Sequence, residues 1–233
     1  MHYLKSGIGS VLIALSAVSH GQIVLQPNEL QSKDAKAYSF VTDGNFQSNL
    51  GVVGSGAAPH SFKSLIQFDL TAVPYSASEI TLATLELYCS VISPIPDANS
   101  VPIPGSGSGN VSLFPVTGTW TETGVTWATF PTYQATPADT EMISTAGQWY
   151  TFDITDVVKT WSAGSFANNG LAIIMESEFG QVTLLDSDGL TGATPNPALA
   201  PRLTVVPEPG AASLGLIGFA ACGVRRIRQR NAS

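Results

Sequence analysis

The sequence predicts an all-β protein, a two-sheet β-sandwich of about eight strands with one short helix. Three observations carry that reading. In Ala83 to Val91 (ATLELYCSV) the odd positions are apolar and the even ones mostly polar, the period of two of a strand with one face on a core. The 22 glycines and 15 prolines punctuate short segments rich in small and β-branched residues. Long runs of Glu, Lys and Leu at helical spacing are absent, and a composition 44% hydrophobic and 12% charged fits a folded core rather than disorder.

In chain order, the first strand falls near Ala37 to Val41 and the second at Leu65 to Leu70, followed by a turn through Pro74. Ala83 to Val91 is the third. Val111 to Thr117, Gln148 to Ile154, Gly170 to Glu176, Gln181 to Asp186 and Arg202 to Val206 complete the set, enough for two packed sheets. One segment breaks the period. Asp156 to Trp161 sets Val157 against Trp161 at i,i+4 spacing, with Thr155 or Asp156 available as cap, and predicts a short helix over one end of the sandwich. Ser93 to Asn110 is a Pro/Gly/Ser connection, read as mobile. No internal repeat and no second domain are visible.

The two ends carry addresses. Met1 to Lys5 is weakly basic, Gly7 to Val18 is an apolar run of secretory length, and Ser19-His20-Gly21 offers small residues to a signal peptidase. Residues 1–21 are read as a signal peptide cleaved between Gly21 and Gln22, leaving a body of 22–206. At the other end Pro207, Glu208 and Pro209 precede an apolar helix over Gly210 to Val224, and Arg225, Arg226, Arg228 and Arg230 follow. Fifteen residues are short for ~30 Å of hydrocarbon, so residues 207–230 are expected to pause in a membrane, with the arginines on the cytoplasmic side. The prolines predict an extended, accessible site before the helix.

The net charge of −7 hides an asymmetry, because half of the basic residues lie in the terminal segments. The body keeps Lys33, Lys36, Lys63, Lys159 and Arg202 against sixteen acids, a balance of −11. That charge excludes nucleic acid as a partner, and it resists anionic polysaccharide unless a local basic patch or a bridging cation intervenes.

Catalytic equipment is sparse. His2 and His20 leave with the signal peptide, and His60 sits in a flexible Gly/Ser/Ala loop without a nucleophile motif. A zinc site lacks ligands. Cys89 shares parity with Leu85, Leu87 and Val91 and reads as a small buried apolar group. Carboxylates are plentiful; Glu176 and Glu178 share a strand face. Asp186-Ser187-Asp188-Gly189 has two readings, a β-turn with glycine at positive φ, or a Ca²⁺ loop with Asp186 and Asp188 as ligands. For sugar stacking the obvious rings are Trp120, Trp127, Trp149 and Trp161.

Two resemblances sharpen these readings. The ordered triad of Val206-Pro207-Glu208-Pro209, a short apolar helix and an Arg-rich end resembles the PEP-CTERM sorting signal of Gram-negative-type bacteria. It implies handling by a membrane-embedded exosortase and delivery to the cell surface or extracellular matrix. Over most of residues 35–206, Ser64 to Leu70 with Pro74, Trp120-Thr121-Glu122, Val125-Thr126-Trp127, Phe152 to Val158 with Trp161, Asn169-Gly170-Leu171 and Pro201-Arg202-Leu203 resemble the DNRLRE domain. The literal motif of that name is missing; Leu184 to Asp188 is its nearest counterpart. The resemblance implies a jelly-roll sandwich of the kind attached to polysaccharide-active enzymes or surface proteins, some members being carbohydrate-binding modules. It also implies that Trp120, Trp127 and Trp161 serve the core, leaving Phe130, Tyr133 and Tyr150 as candidate surface platforms. The expectation is an exported, non-catalytic sandwich that binds extracellular polysaccharide. Its alternatives are a structural or adhesive matrix protein acting through protein contacts, and a small polysaccharide lyase or hydrolase.

Overall fold

A computed structural model describes residues 21–26, 32–39, 41–46, 50–53, 61–94, 107–175, 180–187, 190–191 and 194–209. Gln22–Pro207 forms one compact unit. The unit contains strands β1 (Ile23–Leu25), β2 (Ser32–Tyr38), β3 (Val41–Phe46), β4 (Leu50–Val53), β5 (Phe62–Phe68), β6 (Ile80–Pro94), β7 (Gly109–Pro115), β8 (Asp139–Ile143) and β9 (Gln148–Asp153). Helix α1 (Thr155–Ser162) follows, then β10 (Leu171–Met175), β11 (Gly180–Leu184), β12 (Leu190–Thr191), β13 (Thr194–Pro195) and β14 (Arg202–Pro207).

Twelve strands join in one antiparallel network; β12 and β13 pair separately. One half is built on the long strand β6. It pairs with β14 through residues 80–86 and with β11 through 89–94, while β9 runs along its other edge from Thr84 to Cys89. β1 closes the opposite edge, beyond β14. The other half runs β3-β2-β5-β10-β7-β8, and β4 links the two by pairing with both β11 and β5.

The halves pack because each strand turns one parity inward. Ala83, Leu85, Leu87 and Cys89 of β6 are fully buried, while Thr84, Glu86, Tyr88 and Ser90 between them remain partly accessible. The inward set meets Ile66, Leu171, Ile173, Val111 and Leu113 from the other half in one continuous core. Burying each such Leu or Ile side chain contributes roughly 1.5–3 kcal/mol. The all-β sandwich predicted from the sequence is therefore the observed architecture.

Helix α1 falls where predicted, burying Val158 and packing Val157 and Trp161 on the core. Its start differs from expectation. Ile154 occupies the N-cap without a side-chain bond; instead the Asp153 carboxylate accepts the Thr155 amide at 2.9 Å, and Thr155 Oγ1 accepts the Ala83 amide at 2.9 Å. Thr155 thus stitches the helix to β6 rather than capping it. The last turn closes on Gly164 at φ +66, a conformation glycine adopts without strain.

Fourteen strands are described where about eight were expected. The eight predicted segments each hold a strand, and the additional ones are short or polar, such as β8 (DTEMI) and β3 (VTDGNF). Pro207 is also reassigned. It is buried at the end of β14 beside Ile80, and only Glu208 and Pro209 are exposed. No helix among the described residues is long and apolar enough to cross a membrane; the predicted apolar helix over Gly210 to Val224 and the arginines after it lie outside them.

Candidate binding surface on the roofed face

The outer face of β2, β5, β10 and β7 is itself apolar. Ala35, Leu65, Ala172 and Phe114 point away from the main core and need cover. Residues 116–138 supply it, laying Val116, Trp120, Val125, Trp127, Phe130 and Tyr133 across the sheet as a second core. The roof is fastened along its length. Thr117 and Gly118 both donate to the Thr132 carbonyl, Gln134 donates to that of Pro115, and the Trp120 indole donates to the Asn169 carbonyl at 2.8 Å. Thr129 Oγ1 accepts from the Thr126 amide and donates to the Gly124 carbonyl.

Lysines from the sheet meet the rings of this roof. Lys63, on β5 with the parity of Leu65, places its ammonium 4.8 Å from the Trp127 ring centre, 5.6 Å from Phe130 and 5.8 Å from Tyr133. Phe130 stands edge-on to Tyr133 at 6.2 Å and 85°, and Tyr133 leans on the buried Phe114. All three rings facing Lys63 are half-buried, with one side on the second core and the rest accessible. Further along the same face Lys33 sits 4.9 Å over the Trp120 ring and donates to that residue's carbonyl. Two clefts open near this end of the surface, the second of them lined by Trp120. One, of about 260 Å³, includes Lys33, Gln67 and Asn168; the other, of about 330 Å³, includes Thr119, Thr121 and Thr129. Lys36, on the opposite face of β2, lies over Phe62, which stacks on Tyr38 at 4.3 Å, and burial lowers its pKa. Two of the five basic residues of the body, Lys33 and Lys63, thus lie on one face of two adjacent strands, giving a local cationic, ring-lined surface on an acidic protein.

Behind this surface an acidic node ties the roof to the sheet. Asp34 of β2 is buried, its backbone amide donates to Glu122 of the roof at 3.2 Å, and its carboxylate accepts the Ser187 amide at 3.0 Å. Burial, first of all, pushes the Asp34 carboxyl up to about 6; Asp186 and Glu122 add to the rise, against the bonds from Ser187.

The structure sorts the predicted site residues. Phe130 and Tyr133 come together at the Lys63 surface. Tyr150 does not offer a platform: its ring is buried in the main core, and its hydroxyl accepts the Ser144 and Thr145 amides and donates to the Thr145 carbonyl. It is a structural tie across the 144–147 turn. Trp120 and Trp161 pack on the cores as expected, whereas Trp127, also assigned to the core, is half-buried and presents part of its ring beside Lys63. Asp186 is almost fully buried next to Asp34 rather than on an open calcium loop, and Asp188 lies outside the described residues. Among the described residues no three His, Cys, Asp or Glu side chains gather as a metal site. His60, Glu176 and Glu178 also lie outside them. Cys89 is buried and free, its thiol pushed up to about 11 by burial.

Sequence reasoning missed Lys63. Its signal was present, since an isolated basic residue in a body this acidic, two residues before a predicted strand, invites the question of what it faces. A cleft of about 460 Å³ beside α1 gathers Asp139, Asp153 and Asp156. Two of these carboxylates hold backbone: Asp139 accepts the Thr140 and Asp153 amides, and Asp153 accepts the Thr155 amide and hydroxyl.

No curated protein matches the chain at a significant level. The profile of carbohydrate-binding module family 96 matches residues 31–196, which span the ring-lined surface, the second core, most of the main core and helix α1. With that match covering most of its length, the chain belongs to carbohydrate-binding module family 96.

Proposed function

We propose that this is an exported, non-catalytic sandwich that holds polysaccharide at the cell envelope or in the extracellular matrix, with Lys63, Trp127, Phe130 and Tyr133 as its binding surface. The observation that carries the reading is the ammonium of Lys63 set within 6 Å of three half-buried rings on a fastened scaffold. Rings stack on the C–H faces of sugars, and an ammonium donates to their oxygens. Lys63 and Lys33 together favour a polymer that carries acidic groups, because they offset the negative body locally. The apolar leader and the Pro-Glu-Pro tail support export. In this reading signal peptidase cuts between Gly21 and Gln22, and an exosortase processes the tail after transient membrane anchoring.

Affinity electrophoresis through gels containing a polyuronate tests the surface. Retardation is expected, and Lys63→Ala or Trp127→Ala should weaken it by about tenfold, the scale of a central ring or cation at an interface. Mobility unchanged in every acidic and neutral polymer tried would remove the reading altogether.

A further inference from the structure

The two outer faces of the sandwich are finished differently. The face with Lys63 is apolar and roofed by residues 116–138. On the opposite side the face of β14, β6 and β9 presents Glu86 and Tyr88, Trp149 and Thr151, and Arg202 and Thr204, all of them half-buried or exposed. A solvated strand face is satisfied by short polar side chains. Here four large ones interlock across three strands instead.

The register explains how. Arg202 of β14 pairs with Glu86 of β6, which pairs with Thr151 of β9; one row along, Tyr88 pairs with Trp149. Arg202 Nη2 donates to Glu86 at 3.1 Å, and its guanidinium crosses Glu86 to lie 4.0 Å from the Trp149 ring centre. Tyr88 meets Trp149 edge-on at 5.4 Å and 73°. The guanidinium is therefore held between a carboxylate and an indole, while its Nε is buried without a hydrogen-bond partner. A plain aliphatic cover for Trp149 would avoid that desolvation. What the arrangement gains is a preorganised donor fork beside an acceptor, the pattern that reads adjacent hydroxyls, with ring surface and threonine hydroxyls next to it. Arg202 and Glu86 cancel in charge, and Asp153, exposed on the same face of β9, adds a negative charge that disfavours an acidic chain, so the face suits a neutral polymer where Lys63 suits an acidic one.

We infer that the β14–β6–β9 face is a second polysaccharide-binding surface, selective for neutral polymers, so that one molecule holds two chains on opposite sides. This rests on the reading of the protein as a polysaccharide binder. The test is affinity electrophoresis of the whole protein against a β-1,3-glucan, a mannan, a xylan and a polyuronate. At least one neutral polymer should retard it. Thr151→Glu and Trp149→Ala should each weaken that retardation about tenfold and leave the polyuronate shift intact, and Lys63→Ala should do the reverse. Wild-type protein should cloud a mixture of the two polymers, and neither class of variant should. Thr151 is exposed, so Thr151→Glu decides the matter should Trp149→Ala fail to fold.

A polyuronate shift without any neutral shift overturns the second surface and leaves the first. So does neutral binding that survives Thr151→Glu, or that disappears in Lys63→Ala. Self-association of the wild type that Thr151→Glu abolishes, without a neutral shift, would make the face a protein interface. No shift in any polymer removes both surfaces together.

Discussion

Burial holds the Asp34 carboxyl at about 6, against 3.8 in an ordinary setting, and this gives the fold a pH dependence of defined sign. Between those values the folded chain keeps a proton that the unfolded chain has released. The stabilising contribution is complete below about 4 and is lost as pH rises through about 6, amounting to roughly 3 kcal/mol for a rise of this size. Asp34→Asn retains an oxygen to accept the Ser187 amide and carries no charge to desolvate. It should raise unfolding stability at pH 7.5 and flatten the difference between pH 4.5 and pH 7.5, as read by urea titration at both. An unchanged slope in the variant would place the titrating group elsewhere. Single residues also show where a sequence speaks clearly. The parity of β6 was enough to bury Cys89. It was not enough for Tyr150, whose hydroxyl answers to the amides of Ser144 and Thr145 in a turn that no period reveals.

The elements were legible wherever one face alternated against a core. β6, β9, β14 and the helix α1 follow from pattern and spacing alone. β8 and β3 did not, because each lies at an end of its half of the sheet and carries polar residues at most positions. The roof over residues 116–138 was invisible for a different reason. It has almost no regular structure, and its apolar residues serve a sheet face assembled from four distant strands. One glycine controls how two of those strands meet. Gly170 adopts φ +81 just before β10, and a Cβ there would lie 2.3 Å from the Ile66 carbonyl and 2.8 Å from the Gln67 Cβ, both on β5. Neither atom is the far end of a flexible side chain. Gly170→Ala should cost on the order of 3 kcal/mol or more through combined backbone strain and overlap, lowering the denaturation midpoint without changing the slope. A loss below about 0.5 kcal/mol, the range of ordinary surface changes, would mean that β5 and β10 can separate more easily than their pairing implies.

At the scale of the molecule, the first and last strands of the folded unit share one edge. β1 pairs with β14 from Ile23 to Leu25, and β14 in turn lies along β6 with Leu203 and Val205 buried in the core. The Pro-Glu-Pro segment placed the end of the body at Val206, whereas strand β14 runs one residue further, Pro207 still pairing beside Ile80. The position of any cut is therefore constrained by packing. Removal of everything after Pro209 leaves β14 whole, and the unfolding free energy should stay within about 0.5 kcal/mol of the full chain, as for changes that touch no buried group. Removal of everything after Pro201 takes away the strand that joins β1 to β6, along with the core contacts of Leu203 and Val205. Deleting two such side chains costs roughly 2–5 kcal/mol each, and the total stability of a domain is only about 5–15 kcal/mol, so this shorter chain should show no cooperative melt by circular dichroism. A cooperative transition in it would mean that β14 is dispensable to the sandwich, and that processing of the tail is free to occur inside the strand rather than beyond it.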